Sequence, residues 1–370
     1  MIDIGPIAYS KDLYLLISVF YTITILLFWK ANVKYFDKAP TRQPFLILFV
    51  LIHLLFAFDG GDYYHYNDYL LSKDMDNMER VYTYIAELAN YNYLLFRLII
   101  WGSALFLFRQ TSKRFGINAD KAVFILYLMF ISLFSYARAS LAMAVYFYGI
   151  SFLCIPLKRN KVLSLLLGVG IVLLSIVFHK SMLFTALVSI MVFVPINRRG
   201  LILFLILFAF STPLLNTLFN TFVTPAYIFD EDINERIAQL QSVTYGDSII
   251  GFSRYEWIRR FLEYSTIVVP FLILTFRFAK LKLLSLNNPD IKLYKVTLGI
   301  LLVAISSYMI QFGNFVIFYR YLYMAIIPLT ILVVQERQYK VISNSLFKGI
   351  LFLCLTYKYF SIFKLILSGA

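Results

Sequence analysis

Two short stretches carry side chains out of keeping with the apolar sequence around them. Tyr136-Ala137-Arg138-Ala139-Ser140-Leu141-Ala142 and Phe178-His179-Lys180-Ser181 each set a cationic or titratable group between two long apolar runs. In membrane sequence such a group is costly, so by default it marks function. Arginine offers a planar fork of donors matched to phosphate oxygens, and histidine can take a proton from a hydroxyl. Further unusual residues recur at the ends of apolar runs: Asp59, Asp62 and Tyr66 in Asp59-Gly60-Gly61-Asp62-Tyr63-Tyr64-His65-Tyr66, then Arg97, Arg254, Arg259, Arg260 and Arg320. Such a set suits a lipid-linked diphosphate sugar. Arginines would hold the diphosphate and stabilise the charge of the leaving group. A carboxylate or His179 would accept a proton from an attacking sugar hydroxyl, and tyrosines would stack on sugar faces. The catalytic candidates are therefore His179, Arg138 and Asp62. The candidates for substrate and diphosphate binding are Arg254, Arg320, Arg97, Asp59, Tyr66, Arg259 and Arg260.

Each residue also has a plainer role open to it. Arg138 alone would serve equally well as the cap of a tight helical hairpin or as a snorkelling side chain. His179 alone reads slightly better as an interface residue, and His65 as an ordinary loop histidine. Arg259 and Arg260 could be headgroup anchors, and Gly60-Gly61 permits a turn. The functional reading rests on the set: outer loops should be poor in basic residues, yet arginines recur there beside carboxylates and a histidine.

Composition defines the elements that must position these residues. The chain has 370 residues, 61% hydrophobic and 15% charged, with mean hydropathy +0.77. That excludes an ordinary soluble domain. At roughly 20 residues per crossing, the apolar sequence accommodates about twelve spans. They fall near 12–29, 44–58, 92–108, 121–137, 139–157, 162–178, 181–196, 200–218, 263–279, 294–312, 315–334 and 345–367. The expected class is a single all-α polytopic membrane domain over 1–370. The net charge of +14 is scattered between apolar runs, with no nucleic-acid motif, so no nucleic-acid partner is expected. Cys154 and Cys354 lie within apolar runs without metal-ligand spacing. The sequence carries no H-E-x-x-H, G-x-S-x-G or P-loop pattern, and no metal or cofactor is expected. The N-terminal run lacks a basic leader and reads as a first span.

Loop charge sets the orientation. Arg109, Lys113, Arg114 and Lys121 follow the third span, Lys158, Arg159 and Lys161 the fifth, Arg198 and Arg199 the seventh. Every second loop is basic, which predicts that these loops face the cytoplasm. The alternate loops hold the carboxylates, including Asp59, Asp62, Asp74, Asp76 and Glu79 after span two. They are expected outside, together with both termini. One outer loop, 59–91, should carry an interfacial helix, because Met75, Met78, Tyr82, Ile85 and Leu88 have helical spacing. The other, 219–262, is a long polar and aromatic segment read as a cap. This count puts Arg138 and His179 on the same, outer side.

At the level of motifs, D-G-G-D-Y-Y-H-Y after span two, A-R-A-S-L-A-M-A opening span five and F-H-K-S-M-L after span six resemble the EpsG-like family of Wzy-type polysaccharide polymerases. Arg138, Ala142 and His179 match the family pattern, with Lys158–Lys161 as the intervening basic loop, and Arg320 resembles its late arginine. The resemblance implies a GT-C-like architecture and a metal-independent glycosyltransferase. It also implies an active site on the outer side of the bacterial inner membrane, acting on undecaprenyl-diphosphate-linked oligosaccharide repeats of O-antigen, capsule or exopolysaccharide. Its partners would be that lipid-linked substrate and membrane lipid, with a chain-length regulator and a flippase as further candidates. Two alternatives stay open: a ligase-type transferase of the same chemistry, and a non-enzymatic flippase or transporter of the lipid-linked oligosaccharide.

Overall fold

The computed structural model describes residues 44–56, 78–129, 137–194, 254–280, 288–310 and 321–338, with a few positions at 19, 66, 69–73 and between 345 and 356. The described residues contain helices and no strand. In chain order the helices are α1 (Pro44–Phe56), α2 (Arg80–Leu88), α3 (Tyr93–Arg114), α4 (Ala119–Met129), α5 (Ala137–Cys154), α6 (Lys161–Phe178), α7 (Met182–Val188), α8 (Arg254–Lys280), α9 (Pro289–Ile310) and α10 (Ile326–Gln338). A 3₁₀ turn, Ser189–Val192, extends α7. Two of them, α3 and α6, are long and apolar enough to cross a membrane by themselves. The span expected at 200–218 lies outside the described residues, as does that at 12–29 apart from Val19.

The hairpin of α5 and α6 determines where the unusual residues go. Both helices have 18 residues, so each is roughly 27 Å long at 1.5 Å per residue. The Ile155–Asn160 connection reverses the chain, and the Asn160 side chain caps α6 by accepting from the Leu163 amide at 2.8 Å. Equal lengths bring the start of α5, with Arg138, level with the end of α6, at His179. The two helices approach through small residues. Only Ser164, Gly168, Val172 and Ser175 of α6 are buried, a small-residue stripe of the kind that brings membrane helices close. A Cβ placed on Gly149 would meet the Gly168 carbonyl oxygen and the Val172 amide nitrogen, both at 2.9 Å. Much of the remaining surface of α6, including Leu166, Leu173 and Val177, is apolar and exposed, as a lipid-facing surface requires.

This contact yields a graded prediction. Gly149→Ala forces two backbones apart and should destabilise by about 1–3 kcal/mol. Gly170→Ala, on the same hairpin but with nothing within 4 Å of its Cβ position, should be neutral or stabilising by up to about 1 kcal/mol. Thermal denaturation of the two purified variants in detergent checks the pair, and equal melting shifts would contradict the packing.

The basic residues collect at the opposite end of the hairpin. The Arg114 guanidinium, at the end of α3, donates to the Ile155 carbonyl at 2.5 Å and lies 3.7 Å over the Phe152 ring. Arg109 donates to Asp120 at 2.7 Å, tying α3 to α4. The ammonium of Lys295, early in α9, donates to the Val194 carbonyl at 2.6 Å. The ends that carry three separate basic loops of the sequence thus share one end of the bundle, as alternating topology requires. Helix α8 begins at Arg254, inside the segment read as an outer cap, and continues to Lys280 with Pro270 within it.

Candidate functional site

The other end of the hairpin is assembled around Arg138. Helix α2 lies there and buries Tyr82 and Ala86, continued by the buried Met78 before it and Ala89 after it. Leu88, expected on that face, is exposed. The chain then reverses into α3 through Asn90 and Tyr91, both with positive φ (49° and 55°), held by amide bonds from Tyr91 to the Ala86 carbonyl and from Asn92 to that of Ala89. Asn92 caps α3 by accepting from the Leu95 amide. The turn fixes α2 against the bundle, with Glu79, the residue preceding α2, at the open end of the α5–α6 hairpin.

Arg138 makes three kinds of contact there. Its Nε donates to the Tyr66 hydroxyl at 2.8 Å, and its Nη1 donates to Glu79 Oε2 at 3.1 Å. Its guanidinium carbon lies 5.3 Å from the centre of the Tyr66 ring and 5.9 Å from that of Tyr82, within cation–π range. The Tyr82 hydroxyl donates to the Arg138 backbone carbonyl at 2.8 Å, closing the first turn of α5 onto α2. Burial, followed by the negative charge of Glu79 and by Tyr66, pushes the Tyr82 phenol well above its ordinary range. It therefore stays neutral and keeps the proton that this bond requires.

His179 completes the cluster. Its backbone leaves the helix in an extended conformation (φ −160°, ψ 119°) as the C-cap of α6. Its carbonyl accepts from the Met182 amide at 2.9 Å, so it is the joint between α6 and α7. The Ser181 amide donates to His179 Nδ1 at 3.3 Å, and the Ser181 hydroxyl lies 3.1 Å from the same nitrogen. The serine of Phe178-His179-Lys180-Ser181 thus orients the ring. Nδ1 is also 3.7 Å from Glu79 Oε1, an ion pair whenever the imidazole is protonated. One carboxylate therefore bridges Arg138 and His179, residues 41 positions apart in sequence. The three side chains are 11–26% exposed (Glu79 11%, His179 19%, Arg138 26%): shielded enough for electrostatics to matter, open enough to be reached.

Among the predicted residues, the structure brings together Arg138, His179 and Tyr66. Arg97 takes a different place. It is 2% exposed, and its guanidinium donates to the Leu54 carbonyl at 2.6 Å and to the Tyr93 hydroxyl at 3.4 Å, a link between α3 and α1. Asp59, Asp62 and Arg320 lie outside the described residues, as do the side chains of Arg254, Arg259 and Arg260 on α8. Tyr321, the residue after Arg320, packs its ring edge-on against Phe184 of α7 at 6.5 Å. Two Asp-x-Asp spacings that the motif reading passed over, Asp74–Asp76 and Asp230–Asp232, also lie outside the described residues.

The sequence reading missed Glu79, which it grouped with the acidic residues of an outer loop. A signal was present: Glu79 stands three residues before Tyr82 and seven before Ala86, so the acid sits at the foot of the face that α2 buries. It missed Tyr82 and Ser181 as site residues for a similar reason, since their roles are to hold other site groups.

Compared with known proteins, residues 41–370 match a family model described as the EpsG family. No curated protein and no solved structure matches the chain.

Proposed function

The chain belongs to the EpsG family, a Wzy-like polysaccharide polymerase family, and on that premise we propose that it joins undecaprenyl-diphosphate-linked oligosaccharide repeats into a surface polysaccharide. The observation that carries the reading is the Glu79-bridged pair of Arg138 and His179. A cationic fork and a proton acceptor, partly shielded and side by side, are what glycosyl transfer from a diphosphate needs.

In the proposed reaction, a hydroxyl at the non-reducing end of one lipid-linked repeat attacks the anomeric carbon of the growing glycan. A new C–O bond forms there, and the bond to the diphosphate oxygen breaks. Undecaprenyl diphosphate leaves with the electron pair. Arg138 binds that diphosphate and stabilises the negative charge that develops as it departs, which lowers the barrier directly. His179 takes the proton of the attacking hydroxyl. Tyr66 and Tyr82 hold Arg138 from two sides, so its orientation is set before substrate arrives. The site works without a metal ion in this reading. It faces the exterior, because the basic ends of α3, α6 and α9 collect at the opposite end of the bundle.

Deletion of the gene in its native host tests the assignment. The expected result is loss of long-chain polymer with the single lipid-linked repeat accumulating at the outer face. Polymer that forms but stays on its lipid carrier would overturn it in favour of a ligase. Repeats trapped at the cytoplasmic face would overturn it in favour of a flippase.

A further inference from the structure

The carboxylate of Glu79 stands where an anionic ligand of this site would stand. Its two oxygens address the two side chains separately, Oε2 toward Arg138 at 3.1 Å and Oε1 toward His179 at 3.7 Å. A phosphate group presents the same charge sign and the same kind of acceptor oxygens. Two of the five N–H donors of Arg138 are engaged, Nε on Tyr66 and Nη1 on Glu79. A phosphate gripped end-on by the two Nη groups would compete with Glu79 for Nη1.

Glu79 is placed to let go. It occupies the N-cap position of α2 in an extended conformation (φ −62°, ψ 134°), yet its side chain makes no capping bond to its own helix. The carboxylate is turned into the site, so releasing it removes no cap from α2. The backbone behind it is anchored, since Tyr82 and Ala86 are fully buried and Tyr82 is bonded to Arg138. A rotation of the glutamate side chain is therefore enough to clear the position, without moving the helix.

We propose that Glu79 is a placeholder for the diphosphate, holding Arg138 and His179 in their working positions in the empty site and giving way to a phosphate group of the lipid-linked substrate. The inference rests on the reading of Arg138 as the diphosphate-binding residue. Glu79 acts through Arg138 and His179 and is a positioning residue. Two consequences follow. Without substrate, the partly buried guanidinium of Arg138 is not left uncompensated, which would be strongly destabilising. With substrate, binding is weakened by the competing carboxylate, which helps the spent undecaprenyl diphosphate to leave.

Binding of radiolabelled undecaprenyl diphosphate to the purified full-length protein in nanodiscs tests this, with undecaprenol as the control lacking phosphate. Glu79→Gln should bind undecaprenyl diphosphate roughly tenfold more tightly than the unaltered chain, the scale of one charge-assisted hydrogen bond removed from competition. Glu79→Asp, which retracts the carboxylate by one methylene, should tighten binding by about threefold, a fraction of the same effect. It serves as the second test should the glutamine variant not fold. Arg138→Ala should lose binding, and undecaprenol should bind all variants alike. Unchanged or weaker binding by the folded Glu79 variants, with Arg138→Ala still defective, overturns the placeholder and leaves the diphosphate site standing. Full binding by Arg138→Ala overturns both.

Discussion

Arg138→Ala is expected to abolish long-chain polymer, with elongation reduced by at least about 10²-fold, the typical effect of removing one group aimed at developing negative charge. The geometry makes the effect specific to the guanidinium. Arg138 reaches Tyr66 and Glu79 at once through Nε and Nη1, which a lysine ammonium cannot reproduce as a single point charge. Arg138→Lys should therefore recover only part of the loss, by about tenfold if charge alone is restored. The alanine variant also leaves Glu79, 11% exposed, with His179 alone beside it, and a shielded carboxylate that has lost its guanidinium partner is destabilising on its own account. The double variant Arg138→Ala with Glu79→Gln removes that charge. It should regain normal membrane levels and thermal stability and remain inactive. Restored elongation in the double variant would show that the single variant was merely misfolded. The measurement is the chain-length ladder of the polymer, beside protein abundance in the membrane fraction.

His179→Ala carries the second large expectation, a loss of about 10²–10⁴-fold in elongation if His179 is the proton acceptor. Its partner gives a graded control. Ser181→Ala removes the hydroxyl 3.1 Å from Nδ1 but keeps the backbone amide bond to the same nitrogen. One neutral hydrogen bond contributes about 1 kcal/mol, so Ser181→Ala should cost roughly fivefold and leave the polymer shorter but present. Equal loss in Ser181→Ala and His179→Ala would move the essential role from the imidazole to the α6–α7 joint. Rate constants for one elongation cycle distinguish the two.

Sequence patterning was enough to place Arg138 and His179 on one side. Two apolar runs of similar length, separated by a basic loop, must form an antiparallel hairpin, and its open end collects whatever precedes the first and follows the second. The 18-residue helices α5 and α6 realise this directly. Tyr66 was legible only as part of an aromatic and acidic run, and its bond to Arg138 spans 72 positions. Arg97 shows the limit. It stands near a helix end like the others, but its preference for the Leu54 carbonyl depends on how α1 packs on α3, a tertiary contact without a sequence signature. The early start of α8 was hidden for another reason. Arg254, Glu256, Arg259, Arg260 and Glu263 lower the local hydropathy, so a span criterion ends the helix before the backbone does. Glu79 was obscured by its company, since six other acids share its loop. Its spacing from Tyr82 and Ala86 distinguishes it from them.

The central claim is that one site, built on Arg138 and His179, elongates a glycan carried on a lipid diphosphate. Elongation of purified undecaprenyl-diphosphate-linked repeats by the purified protein, with and without a chelator, tests it most directly. The account predicts a ladder of products from the unaltered chain, unchanged by the chelator, and only the starting repeat from Arg138→Ala and His179→Ala. A folded Arg138→Ala or His179→Ala variant that yields the normal ladder would contradict it.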